Sequence, residues 1–356
     1  MTNHDFDEQD LDAAVAANII DPKQKGALIS LAQSRLHARA ALLGDDEPFE
    51  LFQGFAEIFI SIGLAILVLG VAGLVDTLVT EGLSPFIVLS MCLGLAHYYL
   101  AHRRMVLPSI TLLIGFTVSL SLLTMALVGT DPTLSVGATD LLITGVVNVV
   151  VLGVFYRKYR LPFAMVLIGI SGLGVFLAAA HLVADGPRFD IFAEKFFDLR
   201  ENVGMALAVL LFGILAFAAA MRFDLQDPHR VGTASKSAFW LHVLAGPAII
   251  NTVTVTLFNV GGAAGTALTT GLMVIVALVS LVIDRRSFLT AGIIYVVTVI
   301  SLLTDGLGDL SGFLDALIVG LLITVLGTWW RPLRYRLMRW LPAFPGKDQL
   351  PPYNAG

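Results

Sequence analysis

The sequence predicts an all-α fold: a polytopic transmembrane helix bundle of about ten spans, with both termini cytoplasmic (N-in, C-in) and a small cytosolic helical hairpin at the N-terminus. Three observations lead to this prediction. Of the 356 residues, 57% are hydrophobic and only 14% are charged, whereas soluble domains carry about 25% charged residues. The mean hydropathy is +0.85. Long apolar segments also alternate with short turns, and every second turn is basic.

Residues 1–50 predict the hairpin and its linker. Asp7 to Ala17 forms the first helix in this interpretation. The second starts with Asp21 as N-cap, Pro22 at the first helical position and Gln24 closing a capping box, and it runs to about Leu43. Leu28, Leu31 and Leu36 are expected to face the first helix. So small a unit buries little surface, so we expect it to pack on the membrane domain or on another subunit.

Residues 51–330 form the predicted transmembrane domain. At 1.5 Å per helical residue, each apolar segment is long enough, or nearly so, for a hydrocarbon core of roughly 30 Å. Helices are expected because open strands leave backbone groups unsatisfied in lipid. The ten segments are approximately 55–75, 84–101, 106–128, 139–156, 161–183, 203–221, 238–259, 264–283, 288–304 and 312–330.

The orientation follows from the basic residues, which favour the cytoplasmic side. Of the 22 Lys and Arg residues, only Arg188, Lys195 and Arg200 fall on the other side, which leaves 19 with the termini. Residues 1–50 are polar and contain no cleavable signal peptide. The predicted location is therefore the bacterial inner (plasma) membrane, with multiple passes. The outer segment 186–202 has helical spacing of its apolar residues, as an interfacial helix or a lid over the bundle would.

The C-terminal residues 331–356 form a basic juxtamembrane tail. Arg331, Arg334, Arg336 and Arg339 are expected to face anionic lipid headgroups. The prolines near the end predict a partly disordered terminus. The basic residues form no patch on a folded domain, so nucleic acid is not an expected partner. The sequence is compatible with a homo-oligomer or with a complex with another membrane protein.

Ionisable residues inside spans are functional candidates. Glu57, His97 and His242 lie near the cytoplasmic ends of the first, second and seventh spans. If those spans are neighbours, the three form a polar cluster at the inner leaflet. The alternative is that each residue reaches headgroups or water separately.

A second candidate site, for a transported substrate, is predicted near the membrane centre. Asn148 lies in the fourth predicted span, and Pro247, Asn251 and Thr252 lie in the seventh. Proline should kink that helix and free a carbonyl group, and interrupted helices are typical of transport sites. The alternative is that these side chains bond between helices and that the kink only shapes the bundle. No carboxylate is predicted at the membrane centre, which argues against an ion-coupled carrier.

No enzymatic activity, metal or cofactor is expected. Gly169-Ile170-Ser171-Gly172 matches the short serine motif of intramembrane proteases, but His181 lies about 15 Å away along the same helix. Gly306-Leu307-Gly308-Asp309 resembles the motif of intramembrane aspartyl proteases without its partner motif. The single Cys92 excludes an intrachain disulfide and a cysteine-based metal site.

The segment Asn18 to Gln24, followed by the basic turns near Arg103, Arg157 and Arg285, resembles an uncharacterised class of predicted bacterial polytopic inner-membrane proteins. That class joins a helical hairpin to hydrophobic hairpins with Arg-rich turns. The resemblance implies an architecture and no activity.

These observations favour transport or permeation of a small solute through the helix bundle. The alternative is a non-transporting scaffold or regulatory subunit that docks a partner through its N-terminal hairpin. Removal of residues 1–44 separates the two, because a scaffold would lose its partner while a transporter would keep its flux.

Overall fold

The computed structural model describes residues 8–17, 19–41, 54–78, 83–129, 137–184, 197–230, 232–290, 292–304 and 310–353. These residues form helices and turns and contain no strand. The chain divides into two compact units, Met1–Glu47 and Pro48–Gly356.

The first unit contains α1 (Glu8–Ala16) and α2 (Pro22–Ala41). The predicted start of α2 is confirmed: the Asp21 backbone N–H donates to Gln24 Oε1 at 2.9 Å, and the Lys23 N–H donates to Asp21 Oδ1 at 3.3 Å. Leu28 and Leu31 are 43% and 53% exposed. Their packing toward α1 stays a prediction, and an ion pair between Lys25 and Asp12 joins the two helices. The side chain of Leu36 lies outside the described residues.

Nine helices of the second unit, within the described ranges, are long and apolar enough to cross a membrane. The second of them is α4, which continues as a π-helical turn over Tyr99–Arg103. The nine are α3 (Phe55–Leu78), α4 (Ser84–Tyr98, with its π-helical turn), α5 (Val106–Val128), α6 (Ala138–Tyr159), α7 (Ala164–Ala184), α8 (Val203–Gln226), α9 (Thr233–Phe258), α10 (Gly262–Ile283) and, after two shorter helices, α13 (Ser311–Thr328).

The predicted ninth span, 288–304, is interrupted. It is divided between α11 (Arg286–Thr290) and α12 (Ile293–Thr304). The N–H of Gly292 donates to the carbonyl of Leu289 at 2.9 Å, which makes a turn between them. A helix of 12 residues extends for about 18 Å, so α12 alone is shorter than a membrane core. Residue 291 lies outside the described ranges, and α11 and α12 belong to one apolar stretch, Arg286–Ser301.

Sequential helices pack against one another, and two glycines allow close approaches between them. A Cβ on Gly145 would lie 3.0 Å from the Ser171 carbonyl oxygen, and one on Gly213 would lie 3.0 Å from Ala248 Cβ. These contacts bring α6 against α7 and α8 against α9, the two most extensive helix pairs in the structure. Buried apolar side chains form three clusters: one chiefly from α3, α4, α5, α6 and α7, one from α7, α8 and α9, and one from α9, α10 and α11.

Hydrogen bonds place the basic turns at one end of the bundle, which we call the basic end. Here Glu57 at the start of α3 accepts from the N–H of Leu107 at the start of α5. The Tyr156 hydroxyl near the end of α6 lies 3.0 Å from Ser237 Oγ near the start of α9. Among the described residues, four other than glycine have positive φ, and all lie in turns at this end: Arg104, Arg160, Arg230 and Asp284.

At the opposite end, residues 197–202 form a turn packed over the end of α9. The Leu199 N–H donates to Thr256 Oγ1 at 3.0 Å, and Asn259 Nδ2 donates to the buried Asp198 carboxylate at 2.7 Å. This part of the predicted segment 186–202 covers a helix end, as a lid would. Residues 185–196 lie outside the described part of the chain.

The C-terminal tail is an ordered element up to Tyr353. It forms α14 (Trp330–Trp340) and then a 3₁₀ turn, Lys347–Gln349. The Lys347 ammonium donates to the carbonyls of Met338 and Leu341, each at 2.7 Å. These bonds fold residues 341–353 back onto α14, which corrects the expectation of disorder over these residues. Lysine bonding to unpaired carbonyls at a helix C-terminus accounts for the fold-back.

Candidate functional site: a buried ionic network

Three ionisable side chains meet between the apolar helices at the basic end. Asp224 lies in the last turn of α8, His242 in the third turn of α9, and Arg285 directly after α10. Asp224 is 3% exposed, and His242 and Arg285 are fully buried. We call this set, together with Ser235, the Asp224 network.

The Asp224 carboxylate joins the other two. The Arg285 guanidinium donates to both of its oxygens, through Nε to Oδ2 at 3.1 Å and through Nη2 to Oδ1. His242 Nε2 lies 2.9 Å from Oδ2. Such two-point contact between guanidinium and carboxylate is the strongest common ion-pair geometry in proteins. It fixes the orientation of both groups.

Ser235 connects the start of α9 to the same guanidinium. Arg285 Nη2 donates to the Ser235 carbonyl oxygen at 3.1 Å and to its hydroxyl at 3.0 Å. The rings of Phe217 and Phe288 lie 5.4 and 6.3 Å from the His242 ring, centroid to centroid. The polar contacts are therefore surrounded by apolar groups, where an ion pair is only weakly screened.

A second ionic set adjoins the first through the peptide bond between residues 284 and 285. The Asp284 carboxylate lies 3.1 Å from Arg230 Nη1 and accepts from Trp330 Nε1 at 2.7 Å. Arg334 Nε lies 3.6 Å from the same carboxylate. Together the two sets connect the ends of α8, α9 and α10 to α14.

The predicted inner-leaflet cluster of Glu57, His97 and His242 does not form. The carboxylate of Glu57 accepts from the Leu107 N–H at 3.1 Å, His97 Nδ1 lies 3.1 Å from the Tyr159 hydroxyl, and His242 pairs with Asp224. The physical reason is helix placement. α3 and α4 pack chiefly on each other and on α5, whereas α9 packs on α7, α8, α10 and α11.

In the structure the residues of the predicted substrate site make separate contacts and do not come together. Asn148 is buried, and its Nδ2 donates to Ser121 Oγ on α5 at 2.8 Å, while its Oδ1 has no hydrogen-bond partner. The Thr252 hydroxyl donates to the Ala248 carbonyl of its own helix at 2.8 Å. Asn251 is half-buried. Neither of the two grooves described in the bundle is lined by Asn148 or Asn251.

Pro247 lies inside α9, as predicted, five residues after His242. Beside it, a Cβ on Gly246 would lie 3.3 Å from the Phe288 carbonyl oxygen. Glycine therefore lets α11 approach the helix where proline has removed one backbone hydrogen bond.

The tail arginines differ in exposure. Arg331, Arg336 and Arg339 are exposed on α14. Arg334 is 4% exposed and donates to the carbonyls of Leu281, Pro351 and Pro352 at 3.0, 2.7 and 3.0 Å. The prediction of a headgroup contact is therefore wrong for Arg334, because its guanidinium satisfies carbonyls of α10 and of the folded-back tail.

Sequence reasoning missed Asp224, Asp284 and Arg285 because it assigned them to turns outside the spans. One signal was present. No glycine or proline follows the apolar part of the sixth span before Pro228, so the helix continues to Gln226 and carries Asp224 inward. No comparable signal identifies Arg285, because its burial depends on contacts between helices distant in sequence.

Of the two motifs considered for catalysis, the one at Ser171 lies at the α6–α7 contact, where the Ser171 carbonyl oxygen would be 3.0 Å from a Cβ on Gly145. Residues 306–309 lie outside the described ranges. Within those ranges, no three His, Cys, Asp or Glu side chains form a group able to hold a metal ion.

Comparison of the chain with protein families, with curated proteins and with solved structures found no match. The class of protein is therefore assigned from its structure. It is an all-helical protein whose long apolar helices are compatible with a multi-pass membrane protein, and it contains a buried ionic network between those helices.

Proposed function

We propose that the protein transports a small solute across the bacterial inner membrane and that the Asp224 network is its gate at the cytoplasmic face. The single observation that carries the proposal is the burial of Asp224, His242 and Arg285 between helices able to span a membrane. Ionisable residues are costly in such positions, and in membrane proteins they mark ion pathways, substrate pathways and proton relays.

The network is suited to gating because it ties together helices that would have to separate. Asp224 holds the end of α8 to His242 on α9 and to Arg285 after α10. Pro247 weakens α9 between its two halves. Opening at the basic end is then a bend of α9 at Pro247, with the network as the contact that must break.

His242 gives the gate its sensitivity to protons. Histidine is the side chain that most readily changes charge near neutral pH. A proton on His242 turns its 2.9 Å contact with the Asp224 carboxylate into an ion pair. Protonation therefore strengthens the closed arrangement and loss of the proton favours opening, which links solute movement to proton movement.

Transport is tested with the purified protein in liposomes that contain a pH-sensitive dye. Pools of anionic, cationic and neutral metabolites are added outside. We expect at least one pool to change the internal pH, and Asp224→Asn to abolish that change. Arg222→Gln, on the exposed face of the same helix turn, is the matched control. The proposal fails if no pool gives more signal than empty liposomes, or if Asp224→Asn retains the wild-type signal.

The proposed orientation, with the basic end and both termini in the cytoplasm, rests on the distribution of basic residues described above. Arg331, Arg336 and Arg339 are exposed on α14, and we propose that they face the anionic headgroups of that leaflet. Neither a cofactor nor an enzymatic step belongs to the proposal.

A scaffold role is the second candidate, and the first unit favours it. Ile19 and Leu28 are 75% and 43% exposed there, and exposed apolar side chains are what a docking surface requires. The partner would be another membrane subunit or a second copy of the chain. Deletion of residues 1–44 should abolish co-purification of a partner if this role is correct, and should leave the dye signal intact if transport is correct.

A further inference from the structure

A groove between α4 and α6 at the basic end belongs neither to the Asp224 network nor to the predicted substrate site. Its volume is about 430 Å³, and it is open along one side. The lining changes from polar to apolar along its length. The lining residues are His97, Lys158 and Tyr159 at the basic end and Leu89, Ser90, Leu93 and Gly94 further along α4, where the Ser90 hydroxyl donates to the Phe86 carbonyl of its own helix.

The polar part of the groove is cationic and held in place by contacts between α4 and α6. His97 Nδ1 lies 3.1 Å from the Tyr159 hydroxyl, and the Lys158 ammonium lies 5.1 Å from the Tyr159 ring centroid. His97 and Lys158 are both exposed. No aspartate or glutamate lies among the described lining residues. This part therefore favours a negatively charged group.

The π-helical turn Tyr99–Arg103 brings further cationic and aromatic groups to the same place. The His102 ring lies 6.0 Å from the His97 ring and stacks on Tyr98 at 5.7 Å. Arg103 Nε donates to the Tyr98 hydroxyl at 3.1 Å. Single π-helical turns are frequent at functional sites, and this one redirects the end of α4 so that its two histidines meet.

The apolar part is an open trough along a helix able to span a membrane. From His97 to Leu89 the trough extends for about 12 Å along the helix axis. Leu93 is 42% exposed, and a Cβ on Gly94 would meet no atom within 4 Å. The trough thus has space beside Gly94, and it faces away from the packed interior of the bundle.

We propose that this groove binds one anionic phospholipid, with its phosphate between His97 and Lys158 and an acyl chain along Leu89, Leu93 and Gly94. Charge complementarity favours an anionic headgroup. The apolar trough requires an occupant with an apolar chain attached to that group. Because α4 is long and apolar enough to span the membrane, a lipid of the surrounding leaflet meets both conditions.

The site is tested by counting lipids that remain on the purified full-length protein, by native mass spectrometry after exchange into mixed phosphatidylglycerol and phosphatidylcholine. We expect one phosphatidylglycerol to be retained in preference to phosphatidylcholine. Lys158→Gln should weaken retention about fivefold, since one basic residue near a membrane contributes about that factor. Arg222→Gln, another exposed cation at the basic end, should change nothing.

A second pair of variants tests the acyl-chain trough without changing charge. Gly94→Leu should fill the trough and abolish specific retention. Gly70→Leu is its control, because Gly70 on α3 also has no atom within 4 Å of an added Cβ and lies outside the groove. Folding of each variant is checked by its thermal transition.

Three results would overturn the proposal. The first is equal retention of phosphatidylglycerol and phosphatidylcholine by the wild type. The second is wild-type retention by Gly94→Leu, accompanied by displacement of the lipid by inorganic phosphate, which would identify a site for free anions. The third is a change of oligomeric state in Gly94→Leu, which would identify the groove as a contact between two copies of the chain.

Discussion

The two halves of the second unit, α3–α7 and α8–α14, use basic residues differently at the basic end of the bundle. In α3–α7 the turns expose Arg104, Arg157 and Arg160 at the surface. In α8–α14 two arginines at this end, Arg285 and Arg334, are 0% and 4% exposed, although Arg222 and three arginines of α14 are exposed. The difference lies in their partners. Arg285 meets Asp224, and Arg334 meets Asp284 and carbonyl groups, whereas the first half offers Glu57, which a backbone N–H already occupies.

The comparison shows that an Arg-rich turn in a membrane protein has two different uses. Where the neighbouring acidic side chain already accepts a backbone N–H, as Glu57 does, the turn is an exposed topological anchor. Where the acidic side chain accepts from the guanidinium, as Asp224 does, the same residue type becomes a buried connection between helices. The predictions below test whether the second half is held together by such connections while the first is not.

The largest effect is expected for Arg285→Ala. Removal of one partner leaves Asp224 buried and uncompensated, which typically costs about 3–5 kcal/mol in the free energy of unfolding. The matched control is Arg104→Ala, because an exposed substitution usually changes stability by no more than about 0.5 kcal/mol. Chemical or thermal unfolding in detergent measures both. Equal effects of the two variants would contradict the proposed difference between the halves.

An intermediate effect is expected for Arg334→Ala. Its guanidinium holds carbonyls of Leu281, Pro351 and Pro352, and loss of hydrogen bonds from a charged donor costs about 1.5–3 kcal/mol. Residues 341–353 should also become sensitive to protease, with cleavage detected by mass spectrometry. Arg336→Ala on the exposed face of α14 is the control. A tail that stays protected in Arg334→Ala would show that other contacts hold it.

Alanine substitutions at two glycines should change the stability by smaller amounts and in opposite directions. Gly213→Ala should destabilise by about 1–3 kcal/mol through overpacking, because its Cβ would lie 2.8 Å from Ile249 and 3.2 Å from a backbone nitrogen. Gly70→Ala on α3 has open space and should stabilise by about 0.5–1 kcal/mol, since alanine favours helices more than glycine does. The two melting temperatures should therefore move in opposite directions. Destabilisation by Gly70→Ala would place an unseen contact on the open face of α3.

The sequence was sufficient for the apolar helices and insufficient for what joins them. Val106–Val128 coincides with its predicted span, and the start of α2 follows its capping residues. Both depend on local composition and on spacing within one segment. The predicted ninth span falls on α11 and α12, with a turn at Gly292 that hydropathy does not register.

Of the three ionisable residues in the Asp224 network, only one was identified from the sequence. His242 was identified because it lies within an apolar segment, whereas Asp224 and Arg285 lie just beyond one. Their burial arises because α8 runs on to Gln226 and because α10 ends beside it. That arrangement is set by tertiary packing between residues 61 positions apart, which a pattern of hydropathy in a single sequence does not contain.

The central claim is that the Asp224 network acts in transport and is more than a structural clamp. The most direct test combines Asp224→Leu with Arg285→Met and measures stability and solute-driven pH change on the same sample. Replacing a buried ion pair by apolar residues often restores stability. We predict that the double variant recovers the stability lost in Arg285→Ala while the pH change stays abolished. Recovery of both together would contradict the account and reduce the network to a structural role.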